Sequence, residues 1–126
     1  MSGTEYLLDT NVVIGLLKGY GPAIALAEQS ALSLDKAVVS QITRMELLGY
    51  PKLTDEEDRG IRLFLAACRI RLLDERIETE AIRLRRSGAF KLPDAIVAAT
   101  AITGGLRLLT LDQGMMQGLR GLGYEF

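Results

Sequence analysis

Short apolar runs alternate along the chain with longer stretches in which apolar residues recur every three or four positions. Glu5 to Leu8 predicts a first strand; Ala37-Val38-Val39, Ile70 to Leu73 and Arg107 to Leu109 predict three more, and Tyr124 to Phe126 a fifth. Helical spacing fills the intervals. Val12 to Leu17 is closed by Gly19 and Gly21, and Pro22 suits the first turn of a helix reaching about Leu32. Ser40 caps a helix through about Leu48. Thr54-Asp55-Glu56-Glu57 is a capping box opening a helix that ends near Arg69. A charged helix from about Arg76 to Arg86 stops at Gly88, and Lys91-Leu92-Pro93-Asp94 leads into an alanine-rich helix to about Thr103. Strands alternating with helices predict an α/β fold, with a central parallel sheet of four to five strands and helices on both faces.

The 126 residues fit one domain over 1–126, with no repeat, low-complexity tract or linker to divide them. At this length roughly two thirds of the unfolded surface can be buried, so no staple is needed. A net charge of -1 gives no global attraction for nucleic acid or membrane, and an anionic partner requires a local basic patch. The absence of histidine excludes Ser-His and Cys-His pairs and His-ligated zinc. The single Cys68 excludes an internal disulfide and a cysteine zinc site, so a cytoplasmic location is expected. Its neighbours Leu65, Ala66 and Ala67 suit a core residue. With no 18-residue apolar run and no basic leader, neither a membrane span nor a signal peptide is expected. An enzyme built from this chain works with carboxylates, hydroxyls, Lys, Tyr or a metal.

Against that background Asp9 stands out. It sits in Asp9-Thr10-Asn11, between apolar Tyr6-Leu7-Leu8 and Val12-Val13-Ile14. In parallel sheets ligands bind outside the carboxyl ends of the strands, which is where Asp9 falls. Asp112 follows the fourth strand in the same way. Glu46 lies one turn beyond Ile42 in the helix after the second strand. Asp94 begins the helix before the fourth strand, whose small residues Ala95, Ala98, Ala99 and Ala101 permit close approach to the sheet. Each acid also has a plain explanation: a helix cap for Asp9, the helix dipole for Asp94, solvation for Glu46, a turn for Asp112. Together at one edge, four acids repel one another and hold their protons more tightly unless a cation joins them. A divalent metal is the natural counter-charge, and all-oxygen ligation favours magnesium or manganese over zinc.

The stretches LLDTNVVI, VVSQITRMELLGY, KLPDAIVAATAI and LLTLD resemble the four signature blocks of the PIN-domain ribonucleases, and the small toxins of VapC type match in length. The likeness runs from Tyr6 to Phe126. It implies cleavage of RNA by a metal-activated water, in the cytoplasm, with Mg2+ or Mn2+ as cofactor. It places the family's acidic, metal-holding set on Asp9, Glu46, Asp94 and Asp112, with Thr10, Asn11 and Thr110 supporting them by hydrogen bonds. Asp9 and Asp94 are the expected direct ligands. One departure is that Gln113-Gly114-Met115-Met116 stands where many relatives carry a further acid and a phenylalanine, which argues against a fully occupied second metal site.

Arg83, Arg85, Arg86 and Lys91 form the densest positive stretch, just before Asp94, and Arg44 lies two residues before Glu46. These are the expected contacts to RNA backbone, although cations also suit a solvated helix end. With aromatics at 6%, base stacking is a minor source of affinity and RNA shape the main one. The resemblance also implies a homodimer and a cognate antitoxin, seated on the apolar surface of Ile14 to Leu17, Ile24, Leu26 and Leu63-Phe64-Leu65, residues that equally suit plain core. Alternatives to a toxin are a housekeeping PIN nuclease in RNA processing and a non-cleaving PIN-like module that binds RNA or protein. An aspartyl phosphotransferase is weaker, since Asn11 stands where its second aspartate belongs.

Overall fold

A computed structural model describes residues 4–125. The elements follow one another as β1 (Tyr6–Leu8), α1 (Thr10–Leu17), α2 (Gly21–Gln29), β2 (Ala37–Ser40), α3 (Gln41–Leu48), α4 (Asp55–Ala67), β3 (Arg69–Arg71), α5 (Glu75–Arg86), α6 (Leu92–Gly104), β4 (Arg107–Leu109) and α7 (Gln113–Gly121), with a single 3-10 turn at Leu34–Lys36 before β2. The four strands form one parallel sheet in the order β3-β2-β1-β4.

Alternation along each strand builds two cores, because successive side chains leave opposite faces. Leu7, Val38 and Leu108 join Ile77 and Leu84 of α5, Ala98 of α6 and Leu119 of α7 on one face. Leu8, Val39 and Leu109 join Val12 and Val13 of α1, Leu47 of α3 and Leu65 of α4 on the other. Helices therefore cover both faces, as the alternating pattern predicts. The central strand β2 is buried throughout, whereas edge strand β3 opens on an exposed arginine, Arg69, which pairs with Glu5. Charge on an edge strand discourages pairing with another chain.

Two expectations are corrected. The third strand is Arg69–Arg71, not Ile70 to Leu73: Leu72 and Leu73 are exposed, and the Leu73 N–H turns to the Gln41 side chain. No fifth strand forms at Tyr124 and Glu125; the Tyr124 N–H instead closes the end of α7 on the Leu119 carbonyl at 2.9 Å. Phe126 lies outside the described residues. Among the described residues no single helix is long and apolar enough to cross a membrane.

The topology creates the site. Beyond β1 the chain turns to one face of the sheet as α1, and beyond neighbouring β4 it turns to the other as α7. Diverging connections leave a crevice between the two strand ends, the place where ligands enter open α/β sheets.

Candidate active site at the carboxyl edge of the sheet

Asp9 is pinned at that crevice by its N–H, which donates to the Leu109 carbonyl at 3.0 Å. It is 5% exposed and caps α1. Its Oδ1 accepts from the Thr10 N–H at 2.8 Å, and its Oδ2 from the Thr110 hydroxyl at 2.8 Å and the Asn11 amide at 3.2 Å. Asn11 Oδ1 accepts from the Leu111 N–H at 3.0 Å, and Thr110 Oγ1 from the Asp112 N–H at 3.0 Å. Thr10, Asn11 and Thr110 thus bind the ends of β1 and β4 into one network around Asp9.

The other acids reach this edge from three more helices. Glu46, exposed on α3, accepts from the Thr10 hydroxyl at 2.7 Å. Asp94 is half-buried in the first turn of α6, behind Pro93. Asp112 caps α7, with Oδ1 on the Met115 N–H at 3.0 Å. That helix is absent from the sequence reading, in which the plain role of Asp112 is a turn; the residue is instead a helix cap at the same edge.

The acids act on one another. Burial raises the pKa of Asp9; bonds from Thr110 and Thr10 lower it, and the charges of Asp94 and Glu46 raise it again. Burial also raises Asp94, followed by the charges of Asp112 and Glu46, with Lys91 offsetting part. Among the described residues, however, no three acids stand close enough together to hold one ion as placed. The donor set, oxygen only and electrostatically strained, fits a hard divalent cation.

The basic candidates divide. Lys91 caps α6 beside Asp94, Arg44 is half-buried on α3, and Arg85 and Arg86 are exposed in the last turn of α5. Arg83 is instead held by Glu80 at 2.6 Å and by the Tyr124 hydroxyl, its guanidinium 5.7 Å over the Tyr124 ring. It lies toward Thr103, at the opposite end of α6 from Asp94, so its charge is engaged away from the acids.

A groove of ≈ 330 Å³ runs between α1, α3 and α4, lined by Ile14, Leu17, Leu47, Tyr50, Leu53 and Ile61. Ile14 lies one helical turn beyond Thr10 on α1, and Leu47 directly follows Glu46 on α3, so the groove starts next to the acids. The sequence reading anticipated Ile14 and Leu17 here. Leu65, by contrast, is core, Leu26 and Phe64 pack against it, and Leu17, Ile24 and Leu63 are the exposed residues of the predicted surface. Tyr50 and Leu53, missed earlier, enter because they lie in the connection by which α4 packs back on α3. Ser40 and Thr43, buried under Glu46, were also missed as site residues; their only sequence signal was a serine three positions before a threonine, the ordinary pattern of a cap.

Among curated proteins, none matches the sequence. Solved structures do. A toxin-antitoxin complex from Klebsiella pneumoniae contains a chain 30% identical, with TM-score 0.76, over 97% of this chain and all (100%) of that one. FitAcB from Neisseria gonorrhoeae gives 26% identity and TM-score 0.73 over 91% of this chain and 93% of that one. VapBC-1 from nontypeable Haemophilus influenzae gives 23% identity and TM-score 0.74 over 97% of both chains, a likeness of fold. The family model for the PIN domain matches residues 6–117, nearly the whole chain, and the protein therefore belongs to the PIN domain family.

Proposed function

We propose that the protein is a magnesium- or manganese-dependent endoribonuclease of VapC type, the toxin of a toxin–antitoxin pair, acting in the cytoplasm as a homodimer restrained by its antitoxin. The observation that carries this reading is the convergence of Asp9, Glu46, Asp94 and Asp112 on the carboxyl edge of the sheet, where Thr10 bonds both Asp9 and Glu46 and Thr110 and Asn11 hold Asp9 across the β1–β4 crevice. Burial first, and then the charges of neighbouring acids, raise the proton affinity of Asp9 and Asp94, and a divalent cation would relieve both effects. When bound, such a cation supplies Lewis-acid charge and lowers the pKa of water, chemistry that needs no histidine. Asp9 and Asp94 hold it directly, and Glu46 and Asp112 complete the pocket. Asn11, Thr10 and Thr110 keep Asp9 oriented. In this reading Lys91, Arg44, Arg85 and Arg86 hold the phosphates of RNA. The structural likeness to chains of toxin–antitoxin complexes supports an antitoxin partner, for which the apolar groove is the natural seat.

The test is cleavage of structured and single-stranded RNA by purified protein, with Asp9→Asn as control. Activity is expected with manganese, none in EDTA, and recovery when manganese returns. Cleavage undiminished by EDTA removes the mechanism. Binding without cleavage in any metal makes the protein a non-cleaving module.

A further inference from the structure

Ser40 and Thr43 have no role so far beyond the first turn of α3, yet they are 1% and 0% exposed. Thr43 donates its N–H to Ser40 Oγ at 3.2 Å, which accounts for the cap. It does not account for the Thr43 hydroxyl. That oxygen lies 3.2 Å from Ser40 Oγ and 3.1 Å from Thr10 Oγ1, and Thr10 Oγ1 lies 2.7 Å from Glu46 Oε1. A line of hydroxyls thus runs from the end of β2 to a carboxylate at the crevice.

Counting protons fixes its direction. A hydroxyl has one proton to donate, and an ionised carboxylate only accepts. Thr10 therefore gives its proton to Glu46 and receives one from Thr43. Thr43, its proton used, receives from Ser40, which also accepts the Thr43 amide. Every polar atom in the line is satisfied in this direction. In the reverse direction two oxygens 2.7 Å apart would face each other with no proton between them.

We propose that Thr43 is a positioning residue for Glu46: the buried chain Ser40 to Thr43 to Thr10 occupies the lone pair of Thr10, aims its proton at Glu46, and so fixes that carboxylate relative to Asp9. Glu46 is exposed on a flexible stem and needs such a restraint. Thr10 is suited to impose it, because its N–H holds Asp9 Oδ1 while its hydroxyl holds Glu46. Donors in series polarise one another, so the buried end strengthens the exposed one. The importance of Glu46 rests on the metal-nuclease reading above; the chain itself does not.

Two readouts test this on the intact protein. One is the order of the Glu46 side chain by NMR relaxation in EDTA; the other is manganese affinity by EPR. Thr43→Val keeps the shape and removes the hydroxyl; Thr43→Ser keeps the hydroxyl and removes a buried methyl. The valine variant is expected to loosen Glu46 and weaken manganese about tenfold, as loss of a ligand's supporting hydrogen bond does. The serine variant is expected to keep both properties near wild type despite a lower melting temperature. In a Glu46→Gln background the valine change should alter manganese affinity by less than about twofold, since the charged acceptor is gone. Should Thr43→Val fail to fold, Thr43→Ala against Thr43→Ser isolates the same hydroxyl. An ordered Glu46 in the hydroxyl-free variant overturns the proposal, as does a serine variant that loses as much as valine. Wild-type protein that binds no manganese overturns the metal reading instead, and the relaxation measurement still decides the chain.

Discussion

Asp9 is at once a helix cap and a buried carboxylate, and the two roles pull its proton affinity in opposite directions. Its bonds from Thr110 and Thr10 favour the ion, while burial and the charges of Asp94 and Glu46 disfavour it and prevail, raising the pKa above the ordinary 3.8. The sign for stability follows. Unfolded, the group ionises near 3.8; folded, it keeps its proton to higher pH. The folded state binds more protons in that window, so metal-free stability falls as pH rises from the unfolded value through the folded one. Asp94 contributes with the same sign. Asp9→Asn, which retains an oxygen for the Thr10 N–H, is therefore expected to be more stable than its parent in EDTA at neutral pH. Its advantage should shrink as pH drops below the unfolded value. Urea unfolding across a pH series checks this; an advantage independent of pH would assign the effect to hydrogen bonding rather than charge. The same variant should lose at least about a hundredfold in RNA cleavage while staying folded. Near-normal turnover would reduce Asp9 to a cap.

Between elements, the tightest constraint is the crossing of α1 and α2. A Cβ on Gly15 would lie 2.6 Å from the Cβ of Ala23, a buried atom on a fixed backbone. Gly15→Ala must spread the two helices, and is expected to cost about 1–3 kcal/mol, the scale of core overpacking. Gly21→Ala, with open space around it, should change little by the same unfolding measurement. What was legible in the sequence follows the same physics. Strands β1, β2 and β4 were readable because apolar runs marked them; β3 slid by about one residue because an edge strand, half wet, carries a weaker pattern. Helix α7 escaped because Gly114, Gly118 and Gly121 mask it. Gly118 is there for packing: a Cβ would come within 3.2 Å of the Phe90 ring. The four acids were readable since each borders a strand end or lies on a helix beside one. The link from Thr10 to Thr43 was not, because it joins side chains 33 residues apart that only the docking of α1 on α3 brings together.

For the molecule as a whole, the decisive geometry is the continuity between groove and acids. Ile14, one turn after Thr10 on α1, and Leu47, next to Glu46 on α3, both line the groove, and Thr10 bonds Glu46, so a single extended or helical segment can fill the groove and reach the acids. An antitoxin tail seated there would present apolar side chains to Leu17, Tyr50 and Leu53 and project its next polar residue toward Asp9 and Asp94. Arginine suits that position: its charge is permanent, and its planar fork pairs with carboxylates by charge-assisted hydrogen bonds. It would supply the positive charge that a metal would bring to the same acids under the proposed function. Two ligands competing for one set of carboxylates are thermodynamically linked, each lowering the apparent affinity of the other. Rising magnesium is therefore expected to weaken inhibition by a tail that carries the arginine, and to leave unchanged the weaker binding of the same tail with Arg changed to Ala. Measuring both affinities across a magnesium titration at fixed ionic strength separates this competition from simple screening. A charge placed in the groove, as in Leu17→Asp, should weaken both tails alike, because this exposed lining residue belongs to the shared apolar contact and not to the acids. Equal affinities for the two tails, with no magnesium dependence in either, would mean that the partner silences the protein from another surface.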